Sequence, residues 1–152
     1  MKTKELPKIP EEVGFTGTRE GLTEKQYSCL NLFITKTIKI AHMGDCIGSD
    51  EEFFYIVRDK APKAKCFGHI PTEKSVRAFC EYDEERKPKP YLDRNRDVVD
   101  ECKLLIATPK SEKEEGRGSG TWFTIRYARN AFKPVLLIFP DGSFKYEENK
   151  ED

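Results

Sequence analysis

Four stretches of the chain combine small, hydroxyl-bearing and charged residues in ways that permit chemistry. In Thr16-Gly17-Thr18-Arg19 a glycine sits between two hydroxyls and ahead of a guanidinium. Glycine lets backbone approach a ligand closely, and the side chains beside it can bind a phosphate or a ribose. A strand-to-helix turn with a surface arginine is the plainer use of the same residues. In His42-Met43-Gly44-Asp45-Cys46-Ile47-Gly48-Ser49-Asp50, Asp45 or Asp50 can accept hydrogen bonds from ribose hydroxyls or help cleave a glycosidic bond. Cys46 can act as a nucleophile if a following helix lowers its pKa, and Asp50 is equally suited to partner a helix dipole. His42, Asp45 and Cys46 would also suit a metal, but no second set of clustered ligands accompanies them, so neither metal nor cofactor is expected. His69, in Gly68-His69-Ile70-Pro71, can stack on a base, bond to one, or simply occupy a turn. The strongest signal is Gly116-Arg117-Gly118-Ser119-Gly120-Thr121, where glycines and hydroxyls precede a helix. Several amides and the helix dipole can then act on one anion.

These segments need elements to hold them, and the chain alternates strands with helices. Val13 to Thr16 reads as a strand. Thr23 and Gln26 have capping-box spacing ahead of a helix with Tyr27, Leu30 and Ile34 inward. Ile38 to Met43 is a second strand. Ser49 and Glu52 again suggest a capping pair, with Phe53, Ile56 and Val57 inward. Lys65 to Ile70 is a third strand, and Val76, Phe79 and Cys80 suggest a short helix. The charged stretch 81–91, with Lys87-Pro88-Lys89-Pro90, reads as extended loop. A helix over Asn95 to Cys102 precedes the apolar strand Leu104 to Thr108, whose composition suits burial on both faces. A polar loop over 110–118, a helix over Thr121 to Phe132 and a strand over Pro134 to Pro140 follow. Asp141-Gly142 is a turn, and the charged tail 145–152 is expected to be mobile. Right-handed crossovers turn this order into an α/β domain, an open, mostly parallel sheet with helices on both faces. Such sheets bind ligands at the carboxyl ends of their strands, where the four segments above lie.

Composition narrows the classes. The chain has 152 residues, 27 Lys and Arg against 27 Asp and Glu, and 37% hydrophobic residues. That suits one domain, with its globular part over about 11–142. Balanced charge excludes a general electrostatic nucleic-acid binder, though not a local basic pocket. The longest apolar run, Val135 to Phe139, is too short to span a bilayer, and no signal peptide is visible, so no membrane association is expected. Five cysteines at wide spacing, without a C-x-x-C, argue against a disulfide framework or structural zinc and for reduced thiols in the cytoplasm.

Taken together, the segments resemble the SLOG superfamily, the fold group of the SMF/DprA and LOG proteins, from about Val13 to Gly142. The resemblance rests on Gly14 to Arg19, on His42 to Asp50, and on Gly118-Ser119-Gly120-Thr121-Trp122 with Arg126-Tyr127-Ala128-Arg129. It implies a single Rossmann-like nucleotide-ligand domain. LOG enzymes remove ribose 5'-phosphate from cytokinin nucleotides, using an arginine on the helix before the fourth strand and a P-G-G-x-G-T-x-x-E signature. By this resemblance Arg94 falls on the catalytic arginine and Gly120-Thr121 on the G-T. Thr124 occupies the glutamate position, and 110–117 is inserted before the glycines.

A glycosidase stabilises an oxocarbenium-like state with a carboxylate, which threonine cannot supply. With that carboxylate missing, the favoured expectation is what the resemblance to SLOG domains implies, a sensor or sequestering module for a nucleotide or an ADP-ribose-like ligand. Phosphate would sit on Gly118, Ser119, Gly120 and Thr121, with Arg19 and Arg94 as counter-charges and Asp45, Asp50 and His69 near the base or ribose. The alternative is an N-glycoside hydrolase or transferase that relocates its carboxylate to Asp45, Asp50 or Glu112. Relatives commonly form homo-oligomers, and the Trp122 helix is an expected interface.

Overall fold

A computed structural model describes residues 6–114 and 119–151. The chain runs β1 (Glu12–Gly17), α1 (Glu24–Phe33), β2 (Ile40–Met43), α2 (Ser49–Lys60), β3 (Lys65–Pro71), β4 (Glu84–Lys89), α3 (Tyr91–Glu101), β5 (Leu104–Thr108), α4 (Gly120–Asn130), β6 (Val135–Ile138) and β7 (Phe144–Glu147). The strands form one seven-stranded sheet in the order β4-β3-β2-β1-β5-β6-β7. All neighbouring pairs are parallel except β6 with β7, which is antiparallel. The order reverses at β1, where β5 pairs on the side opposite β2. Loops diverge at such a reversal and leave a crevice at the strands' carboxyl ends.

Two cores explain the apolar sequence of β5. Leu104 and Ile106 enter a core with Leu30 and Phe33 of α1 and Phe53 and Val57 of α2. Leu105 and Ala107 enter the other, with Val98 of α3 and Trp122 and Ile125 of α4. Period-two alternation between two buried faces thus produces a continuous apolar run. Phe15 of β1 stacks on Phe53 with ring centroids 4.3 Å apart, fixing α2 over the first strand.

Helix starts explain the placement of the loops. The Thr23–Gln26 capping box forms as its spacing predicts. The Gln26 amide then donates to the carbonyls of Pro109 and Ile138 at 2.9 and 3.0 Å, tying α1 to the ends of β5 and β6. The expected Ser49–Glu52 pair does not form. Gly48, at φ 90°, is the N-cap of α2, and Glu52 Oε1 accepts instead from the Leu22 amide at 2.8 Å.

The structure corrects four further element assignments. Residues 84–89 form edge strand β4 rather than loop, paired to β3 through Phe67 to Pro71. An edge strand can carry Pro88 because it has a ladder on one side only. The expected short helix is one 3-10 turn at Lys74–Val76, and Phe79 is exposed at positive φ. Helix α3 begins at Tyr91, four residues before the expected start at Asn95, with Pro90 as its cap. The start of the tail is strand β7, anchored by Phe144 edge-on to Phe33 and by Arg129 to both Glu147 oxygens at 2.9 Å.

Candidate functional site

The crevice at the carboxyl end of the sheet holds a cavity of about 300 Å³. Its walls come from four places: Thr16 to Glu20 after β1, Cys46 and Asp50 at the start of α2, Tyr91, Arg94 and Asn95 on α3, and Lys110 with Ser119 to Thr121 around the start of α4. Of the residues singled out in the sequence, Thr16, Gly17, Thr18, Arg19, Cys46, Asp50, Arg94, Ser119, Gly120 and Thr121 line it. Gly118, with Gly116 and Arg117, lies outside the described residues.

Backbone hydrogen bonds fix the first two walls to each other. The Thr18 carbonyl accepts from the Gly21 amide at 3.3 Å and from the Ser49 amide at 3.0 Å. The turn after β1 and the start of α2 are therefore one body. The fourth wall is capped separately, with Ser119 Oγ accepting from the Trp122 amide at 3.2 Å.

Arg94 dominates the floor. It is 5% exposed, and a buried guanidinium ordinarily needs a close carboxylate. Here Nη1 lies 3.7 Å from Asp50 Oδ2, too far for a good hydrogen bond. Nη2 donates to Cys46 Sγ at 2.7 Å, a weak acceptor, and Nε has no partner. The group reaches this position only because residue 44 is glycine, since a Cβ there would overlap Arg94 Nη1. Burial, more than anything else, pushes the Asp50 carboxyl up to about 6, against the pull of Arg94 and of the Cys46 amide it accepts at 3.1 Å. The Cys46 thiol is also pushed up, first by burial and then by Asp50, so the helix start does not yield the thiolate a nucleophile requires.

At the mouth, Arg19 lies over the Tyr91 ring at 5.6 Å, and Arg94 lies at the same distance from that centroid. Arg19 has no carboxylate partner among the described residues. Lys110 pairs with Glu20 at 3.4 Å between exposed side chains, which holds it only weakly. Three cations thus face the cavity with two carboxylates, and neither carboxylate holds its partner tightly.

Asp45 and His69 are not in this site. Asp45 is fully buried and points away, accepting from Arg77 Nε and Tyr82 Oη at 2.6 Å each and from the Cys80 amide at 3.3 Å. Its positive φ turns the side chain under the segment after β3, which it pins. His69 lies within β3, 1% exposed beneath α3, away from the cavity, and meets His42. Glu112 does not line the cavity either. Thr124 is 1% exposed and its hydroxyl is spent on the Gly120 carbonyl at 2.7 Å. Trp122 packs inside the second core, 3% exposed.

Sequence reasoning missed Glu20, Tyr91, Asn95 and Lys110 on the walls. Tyr91, Arg94 and Asn95 stand at i, i+3 and i+4 of α3, the spacing of one helical face. That signal was present but hidden by starting the helix at Asn95.

Together the sheet order and the crevice define an α/β protein of Rossmann-like fold. The crystal structure of TM1055, a structural-genomics target, is similar with a TM-score of 0.58 and 14% identity, over 82% of this chain and 72% of that one. At that identity the likeness shows the fold alone. No family model and no curated protein matches the sequence. Among the described residues, no helix is long and apolar enough to cross a membrane.

Proposed function

We propose that the cavity binds a nucleotide or a nucleotide-derived, ADP-ribose-like phosphate ester, as a sensing or sequestering module of the SLOG type. The observation that carries this reading is Arg94, a buried cation whose donors face a thiol, a distant carboxylate and no partner at all. A phosphate oxygen is the acceptor such a group lacks. The start of α4 at Ser119 to Thr121 adds oriented amides and a favourable dipole on the opposite wall. The volume is at the lower end for small-molecule sites, and the carboxyl-end position is where open α/β sheets bind ligands.

A second reading, cleavage of the ligand's N-glycosidic bond, is favoured by Asp50. It is a cavity carboxylate raised toward neutral pH and next to Arg94, which suits proton transfer.

One experiment covers both. Purified protein is incubated with nucleotides and the matching nucleosides, followed by thermal unfolding and by chromatography of the small molecules. The expected result is saturable stabilisation by an intact phosphorylated ligand. Arg94→Ala should weaken that ligand about 10- to 100-fold, the worth of one or two charge-assisted hydrogen bonds, and the nucleoside far less. Release of free base would establish the hydrolase. Equal weakening of both ligands would overturn the phosphate role.

A further inference from the structure

A second polar cluster lies beneath the other end of α3. His42 on β2 and His69 on β3 are 2% and 1% exposed, with His42 Nδ1 and His69 Nε2 3.0 Å apart. Glu12 of β1 stands 3.6 Å from His42 Nε2, and Glu101, the last residue of α3, stands 3.8 Å from His69 Nδ1. Neither outer ring nitrogen has a hydrogen-bond partner. The row Glu12, His42, His69, Glu101 has three gaps, while two neutral imidazoles bring only two protons. One gap is always empty. The cluster is a pair of buried imidazoles whose outer nitrogens are unpaired and flanked by carboxylates.

That is the donor set of a metal ion that favours nitrogen and carboxylate ligands. One ligand atom from each of His42, His69 and Glu101 lies within 4.8 Å of the others. Two ligands at roughly 2.1 Å from a tetrahedral ion stand about 3.4 Å apart, and the two rings already approach to 3.0 Å. We propose that His42, His69 and Glu101 bind one divalent, zinc-like metal ion between β2, β3 and the C-terminal end of α3. His42 faces the ion through Nδ1, which leaves Nε2 to Glu12. Glu12 then orients His42 in a carboxylate–histidine–metal arrangement. Glu101 is one-third exposed and gives the ion its approach from solvent. It is now bonded to Arg86 Nε and Nη2, and Arg86 is exposed enough to swing away. Arg86 and the ion compete for this carboxylate.

The test uses the full-length protein dialysed against chelator, titrated with zinc chloride by calorimetry and with cobalt chloride by visible absorption. One equivalent should bind saturably. His42→Asn and His69→Asn, checked for folding by circular dichroism, should abolish binding. Glu12→Gln should weaken it about tenfold. Arg86→Gln, which removes the competing bonds to Glu101 and is checked for folding in the same way, should tighten it several-fold. The proposal is overturned if the unmodified chain binds no metal, if the histidine variants bind as well as the parent, which would place the ion on thiols, or if Arg86→Gln leaves affinity unchanged.

Discussion

Arg94 and Asp50 share a buried floor without a good hydrogen bond between them, and that pairing sets the pH behaviour of the site. A carboxyl raised to about 6 in the fold and near 3.8 when unfolded takes up its proton more readily in the folded state. Stability from this group is fully present below the unfolded value and declines as pH rises through about 6. The full effect is on the order of 3 kcal/mol, from the free-energy equivalent of a pKa shift. Asp50→Asn should remove the decline. Its advantage over the parent in urea unfolding should be small at pH 4 and largest at pH 7. The same change removes a negative charge from the cavity, so a phosphorylated ligand should bind several-fold more tightly at pH 7. If the site hydrolyses its ligand, base release should instead vanish in this variant. Most of the individual wall residues were legible in the sequence, because glycine, hydroxyl and arginine clusters at strand ends announce themselves. Asp45 and His69 were misplaced for one reason. A polar residue beside a turn reads the same whether it faces a ligand or a buried partner, and only Arg77, Tyr82 and His42 decide the difference.

Helix α3 joins the elements of the site. It brings Tyr91, Arg94 and Asn95 to the cavity and packs its other residues against Gly14 of β1 and the second core. It meets α4 closely at Gly120, where a Cβ would overlap the Tyr91 hydroxyl. Gly120 is thus needed first for helix contact. Gly120→Ala should cost about 1–3 kcal/mol, as overpacking does. In a Tyr91→Phe background, where the struck oxygen is gone, Gly120→Ala should cost measurably less. A double-mutant cycle by urea unfolding measures the coupling, and additivity would contradict the contact. The elements that escaped sequence reading are the two edge strands. Strand β4 is almost wholly exposed and carries Pro88, so it has neither the apolar alternation nor the freedom from proline that marks a strand. Strand β7 is four residues long and keeps only Phe144 and Glu147 half-buried, which leaves too short a period to see.

For the molecule as a whole, the alternation of strands and helices made the fold class legible, since parallel strands buried on both faces read as apolar runs. The edges were illegible because pairing there is decided by a neighbour and not by local pattern. Strand β7 matters beyond its size, because it covers the fully buried β6. Ending the chain after Gly142 should lower the melting temperature and produce concentration-dependent light scattering, as an uncovered apolar edge recruits other chains. A Phe144→Ala chain, which keeps the backbone ladder, should melt lower without scattering. The double acceptance by the Thr18 carbonyl has its own outcome in time. With the turn after β1 and the start of α2 already joined, capture needs no prior rearrangement of that floor. Stopped-flow traces should show a single phase whose observed rate climbs linearly with ligand concentration, and a plateau would reveal a gating event elsewhere in the wall.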